Sequence, residues 1–265
     1  MIQQLNGGAA LTWPAQKLRY LIDSLLRGIP YLGYRFEHGS LKVFRGRIGD
    51  SHNFFSAPSD FSYVPHNEVK SAGRCHSVGN SIFYGSLNLD TVLSELTPEI
   101  GDRVYVGVAT VKISQLLTLS CIGELDYSRR YDKALIGDQN GFLQLQNLLK
   151  SMPPEEHIRN LLVDAFFADI FSKPAYKSRD YKVTNALSDL LLESKVLDGF
   201  FYPSVAHRGG LNVAIIPERF DGIMKWEHFM AFEINDFMGY GLYGRQQLAS
   251  ATEVVDGVIK WESLV

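Results

Sequence analysis

Cysteine is scarce in this 265-residue chain, with Cys75 and Cys121 the only two. Two cysteines cannot build a disulfide framework, though one bridge is open to them, so nothing argues for an oxidising compartment. Neither belongs to a CxxC pair and the seven histidines are scattered, which speaks against zinc. Long apolar runs are missing too. The richest, Leu161 to Phe171, is interrupted by Asp164 and Asp169 and is too short to span a bilayer. The first residues, MIQQLNGGAALTWPAQ, lack the basic start and apolar core of a Sec-type signal. There is no basic excess: 26 Lys and Arg stand against 29 Asp and Glu, a net charge of −3. A general nucleic-acid binder needs such an excess or a local basic stripe, so no nucleic-acid and no membrane partner is expected. A cytoplasmic location is the expectation, with delivery to another cell left open because specialised secretion needs no such signal. Internal repeats and low-complexity tracts are also missing, and 46% hydrophobic with 21% charged residues suits a folded chain.

What is present alternates between strand and helix periods. Thr12 and Pro14 open a helical pattern through Leu18, Leu21, Ile22 and Leu25 to Gly28. Leu41–Arg47 alternates as a strand, and 49–79 reads as a long loop rich in Ser, Pro, Asn and Gly, a length often tied to function. Ser81–Ser86 reads as a short strand, Asp90 as the cap of a helix to Leu96, and Arg103–Ile113 as a clearer strand. Three helical stripes follow: Phe142, Leu145, Leu148 and Leu149; Ile158, Leu161, Leu162, Ala165, Phe166 and Ile170; then Val183, Ala186, Leu187, Leu190 and Leu191. Strand signals return at Gly199–Tyr202, Leu211–Ile216, Trp226–Ile234 and Val258–Trp261. Strands, then helices, then strands predict an α+β fold.

The block SAGRCHSVGNSIFYGSLNLDTVLSE, from Ser71 to Glu95, carries the chemistry. Arg74 lies in a small-residue loop, where a planar fork of donors suits a phosphate or pyrophosphate. Tyr84, on the next strand, offers a ring to a flat cationic heterocycle. Glu95, on the next helix, offers negative charge to an oxocarbenium-like transition state. Together they describe a site for a nucleotide with a cationic leaving group, and NAD+ fits. Taken singly, each has a plainer reading: a surface arginine, a core tyrosine, a solvated glutamate. Cys75, His76 and Glu99 are lesser candidates. YGLYGR at Tyr240–Arg245 is weak support for RNA binding, and HRGG at His207–Gly210 reads as a turn, with substrate contact by its loop as the alternative.

AGRCHSVGNSIFYGS followed by a helix with LSE resembles the RES domain family. DGFFYPSVAHRGGLNVAII resembles that family's Pro-Ser segment with its following Asn, and LKVFRGR its early arginine strand. The resemblance runs roughly from Leu41 to Pro217. It implies a single RES-like domain: a helical extension over 1–40, a family core over 41–217 and a strand-rich tail over 218–265. The implied fold is that of ADP-ribosyltransferases, with a split, twisted β-sheet core, flanking helices and an NAD+ cleft. The implied activity is that of a toxin-like enzyme that cleaves the nicotinamide–ribose bond as a glycohydrolase or phosphorylase. Protein ADP-ribosylation is the alternative, and a non-catalytic nucleotide- or protein-binding module a further one. NAD+ would be a substrate rather than a resident cofactor. An Xre-type helix-turn-helix protein is the implied neutralising partner, though the extensions could cover its docking surface. By resemblance, Arg74 holds the phosphates and Tyr84 stacks near the nicotinamide. Glu95 stabilises the ribosyl cation, while Ser204 lines the cleft with Asn212 in support. Arg45 is a second phosphate contact, with Arg47 as its rival for that place.

Overall fold

The computed structural model describes every residue except 7, 30–32, 51–53, 138, 176–177, 194 and 265. In chain order the helices are α1 (Ile2–Asn6), α2 (Ala15–Leu26), α3 (Leu89–Leu96), α4 (Glu124–Tyr131), α5 (Gln139–Ser151), α6 (Pro154–Ser172), α7 (Lys182–Glu193) and α8 (Pro217–Ile223). The strands are β1 (Tyr34–Phe36), β2 (Lys42–Gly49), β3 (Phe83–Ser86), β4 (Arg103–Val111), β5 (Leu117–Cys121), β6 (Gly199–Pro203), β7 (Leu211–Ile215), β8 (Met224–Gly239), β9 (Leu242–Ala251), β10 (Val254–Val255), β11 (Val258–Ile259) and β12 (Glu262–Ser263). The fold is α+β, as the sequence predicts. The chain forms two compact units interleaved in sequence. One comprises Met1–Tyr34, His66–Asn80 and Thr118–Pro203; the other Arg35–Pro65, Ser81–Leu117 and Ser204–Val265.

The first unit is mostly helical. Its β5 and β6 run parallel, with Leu119 opposite Gly199. The stripe of α5 is confirmed on Phe142, Leu145 and Leu149, which are buried, whereas Leu148 is exposed. The stripe of α6 differs more. Ile158 and Leu162 are exposed, and the helix turns Asn160, Val163, Asp164, Phe166, Phe167 and Phe171 inward. Apolar residues lie nearly all round this helix, so periodicity did not distinguish its faces. Asp164 is buried for a structural reason: its carboxylate accepts the Gly123 and Asp126 N–H groups at 2.9 and 3.0 Å, satisfying the N-terminus of α4.

The second unit is a seven-stranded antiparallel sheet in the order β7-β3-β2-β4-β8-β9-β12. Two apolar layers cover its faces. On one, Val92 and Leu93 of α3 pack with Val104, Val106, Phe232, Ile234 and Tyr243. On the other, Phe61 packs with Tyr105, Phe229, Ala231, Ala249 and Ala251. Gly46 makes the first layer possible. A Cβ there would stand 2.3 Å from Val92 and 2.9 Å from Leu96, so only glycine lets α3 lie this close to β2.

Two expectations are adjusted in this unit, the cap of α3 and the extent of β8. The cap of α3 is Asn88, whose side chain accepts the Thr91 N–H at 2.8 Å; Asp90 sits within the first turn. Tyr240–Arg245 is the start of β9 and the turn before it, with Tyr240 96% exposed at the tip of the β8–β9 hairpin. The strand expected at Trp226–Ile234 extends in both directions, to Met224–Gly239, because β8 pairs with β4 on one side and β9 on the other.

Candidate active site

The site is built where β3, α3 and β7 meet in the second unit. Strand alternation places Tyr84 and Ser86 on one face of β3, about 7 Å apart at roughly 3.3 Å per residue. In the antiparallel register Ser86 stands opposite Asn212, and Tyr84 opposite Ala214. The same face is the one α3 covers, which brings Glu95 to it.

Glu95 is the centre of a hydrogen-bond network. Its Oε1 accepts the Ser204 hydroxyl at 2.6 Å and the Asn212 Nδ2 amide at 2.6 Å. The Asn212 amide is itself oriented, because its Oδ1 accepts the Ser86 hydroxyl at 2.7 Å. Ser204 Oγ accepts the His207 N–H at 2.9 Å, which fixes that hydroxyl's proton on Glu95. Ser204, Asn212 and Ser86 are all buried, whereas Glu95 is exposed. Among the described residues no donor reaches Oε2, and no cation pairs with the carboxylate. One carboxylate oxygen is therefore held by two neutral donors, while the other has no partner among the described residues. Such an anion can stabilise a cation that develops beside it.

Of the residues expected in the site, the structure brings Glu95, Ser204 and Asn212 into direct contact. It places Tyr84, half-buried, two residues from Ser86 on the same face. Arg45 and Arg47 are placed differently. Arg45 stands opposite Gly107 and Arg47 opposite Tyr105, so both project from the face opposite Glu95. The pairing of β2 with β3 is confined to Phe44 and Ser86. Where the next rungs would stand, Arg45 Nη1 donates to the Tyr84 carbonyl at 2.7 Å. The guanidinium thus bridges the point where the two strands part. Arg47 Nη2 donates to the Ser62 carbonyl at 2.9 Å.

Arg74 belongs to the first unit. The loop around it closes tightly, with the Gly73 N–H on the His76 carbonyl at 3.0 Å. Its guanidinium donates to the carbonyls of Phe171 and Lys173 at 2.8 and 3.1 Å, at the C-terminus of α6, and lies over the Tyr181 ring. A cation on terminal helix carbonyls is favourable for the helix. Cys75 beside it is buried, and so is Cys121, and the two form no disulfide. Burial pushes the His76 imidazole pKa below its ordinary value, against a smaller opposing hydrogen bond to the Ser71 backbone.

Sequence reasoning gave no role to Ser86 or Thr91, and took His207 only as part of a turn or substrate-contacting loop. Ser86 was accessible, since it shares the period-2 face of Tyr84. Thr91 Oγ1 donates to Asn88 Oδ1 and lies 2.8 Å from His207 Nδ1, a meeting across 116 residues that no local pattern signals.

The family model of the RES domain matches residues 46–232. The chain belongs to the RES domain family. The match starts at 46 rather than 41 and reaches 232 rather than 217. It includes the first part of β8, and it leaves Arg45 just outside and Arg47 inside. All the residues of the Glu95 network lie within it. RES domains are an NAD+-related, toxin-like family. No curated protein and no solved structure matched the chain. Among the described residues no helix is long and apolar enough to cross a membrane, and no group of three or more His, Cys, Asp or Glu could hold a metal ion.

Proposed function

We propose that this RES-domain protein consumes NAD+ by cleaving the bond between nicotinamide and ribose. The observation that carries the proposal is Glu95, with Oε1 held by Ser204 and Asn212 and Oε2 open. Nicotinamide leaves as a neutral molecule, taking the electron pair of the glycosidic bond, so no general acid is required. The ribosyl carbon becomes an oxocarbenium-like centre. A carboxylate whose hydrogen bonds are already made needs no reorganisation to stabilise it. An oxygen of water then bonds to that carbon and releases its proton to solvent, or an anionic oxygen of phosphate bonds there with no proton to lose. Tyr84 supplies the ring for the nicotinamide end. Arg74 is the candidate for the phosphates on the resemblance to the family.

Transfer of ADP-ribose to a protein side chain is the second reading, and the exposure of Glu95 favours it, since a bulky acceptor could approach Oε2. Both readings share the cleavage step. The test is nicotinamide release from NAD+ by the purified protein, with and without phosphate, and with an acceptor protein. Phosphate-dependent release assigns a phosphorylase, release in its absence a hydrolase, and release that needs protein a transferase. An Xre-type neutralising partner remains part of the proposal, on family grounds alone.

A further inference from the structure

The turn from Pro203 to Gly210 supplies Ser204 to Glu95, and its own anchoring is visible. Thr91 Oγ1 lies 2.8 Å from Asn88 Oδ1 and 2.8 Å from His207 Nδ1. Asn88 Oδ1 already accepts the Thr91 N–H, so that atom is the carbonyl oxygen and can only accept. The single Thr91 hydroxyl proton must therefore point at Asn88. Otherwise two oxygen lone pairs would face each other at 2.8 Å. With that proton spent, Thr91 Oγ1 can only accept from His207, and the imidazole must carry its proton on Nδ1.

Gly210 completes the fit. A Cβ there would stand 2.6 Å from Thr91 Oγ1 and 3.0 Å from His207 Nδ1. The turn is closed internally as well: the Ser204 N–H binds the Gly210 carbonyl and the Gly210 N–H the His207 carbonyl, each at 2.9 Å. The chain of donors thus runs from His207 Nδ1–H to Thr91 to Asn88, while the His207 N–H binds Ser204 Oγ and Ser204 donates to Glu95.

We infer that His207 and Thr91 are positioning residues of the Glu95 site. The imidazole, held as its Nδ1–H tautomer, fastens the Pro203–Gly210 turn to the first turn of α3 and so aims the Ser204 hydroxyl at Glu95. The inference rests on the NAD+-cleaving reading for its kinetic consequence but not for its geometry. Neither residue touches the substrate in this account. Each acts through Ser204.

The experiment measures nicotinamide release from NAD+ by the full chain, with kcat and KM resolved. His207→Ala is expected to lower kcat about tenfold or more with little change in KM, since misplacing a catalytic group costs rate rather than substrate binding. His207→Asn, whose amide N–H stands near the place of Nδ1–H, should restore most of the rate. His207→Gln, whose amide reaches the place of Nε2, should not. In a Ser204→Ala background His207→Ala should cost nothing more. An unchanged kcat in His207→Ala, rescue by Gln in place of Asn, or full additivity with Ser204→Ala would each overturn the inference. Nitrogen NMR of the imidazole, assigned through His207→Asn, gives a second readout. An Nδ1–H tautomer in the wild type, altered in Thr91→Val, is expected; an Nε2–H tautomer would overturn the geometry. Should the wild type release no nicotinamide under any condition, the NAD+ reading fails on its own, and the NMR result still decides the anchoring.

Discussion

Ser204 and Glu95 are 109 residues apart in sequence and 2.6 Å apart in space, hydroxyl to carboxylate. Asn212 reaches the same oxygen from the next strand. Holding one oxygen and leaving the other open separates a poised carboxylate from a merely solvated one.

The pair of donors can be removed separately. Ser204→Ala and Asn212→Ala each take one hydrogen bond from Oε1, and each is expected to lower kcat about 10- to 100-fold while the protein stays folded. Asn212→Ala also strands the buried Ser86 hydroxyl, adding a stability cost of about 1–3 kcal/mol. Steady-state kinetics beside thermal unfolding separate the two effects. Equal rates in wild type and both variants would mean that the orientation of Glu95 does not matter.

Gly46 is a packing prediction. Gly46→Ala places a Cβ 2.3 Å from Val92, in a contact between a strand and the helix that carries Glu95. Overpacking of this kind costs about 1–3 kcal/mol. The expected result is a lower thermal midpoint together with reduced nicotinamide release, because α3 must move off the sheet. A variant as stable as wild type would show that α3 has slack.

Arg74→Ala removes two hydrogen bonds from a charged donor to the end of α6. A stability loss of about 1–3 kcal/mol is expected in denaturant unfolding. If Arg74 also holds the NAD+ phosphates, its KM for NAD+ rises as well, and Arg74→Lys, which lacks the planar fork, does not restore it. A raised KM with unchanged stability would assign the residue to substrate alone; unchanged values of both would remove both roles.

Asp164 gives a pH dependence. Burial pushes its pKa up to about 6, against the lowering effect of the N–H groups it accepts. The value for an unfolded chain is about 3.9. Between those limits the folded state binds more protons than the unfolded state. The stability associated with the protonated carboxyl is thus complete below about pH 4 and lost as pH rises through about 6, on the order of 3 kcal/mol. Urea unfolding at pH 5 and pH 7.5 should show the trend, and Asp164→Asn should flatten it. A wild type whose Asp164-dependent stability rises with pH would contradict the sign.

Much of the fold was legible because its helices and central strands carry strong periods. β3, β4 and α3 are confirmed within two residues at most ends, and the motif block lies on them as expected. Four further elements were illegible for identifiable reasons. α4 reads ELDYSRRY, almost wholly polar, and is held by Asp164 rather than by an apolar stripe. β5 is five residues long, and α8 is a seven-residue helix opened by Pro217. β9, LYGRQQLASA, lacks a clean alternation because its register with β8 shifts at bulges. In the site, Glu95 was singled out from its residue type and place, whereas Ser204 and Asn212 came only from the resemblance to the family's Pro-Ser segment and the Asn after it. The faces of Arg45 and Arg47 depend on sheet register, and the His207–Thr91 contact on a turn folding back over α3, and neither is written in local sequence.

The most direct test compares nicotinamide release from NAD+ by the wild-type protein and by Glu95→Gln. The glutamine can still accept from Ser204 and Asn212, so the fold and network should persist while the negative charge is lost. The account predicts a fall in kcat of about 10²-fold or more with an unchanged thermal midpoint. Release at the wild-type rate from a folded Glu95→Gln protein would contradict it.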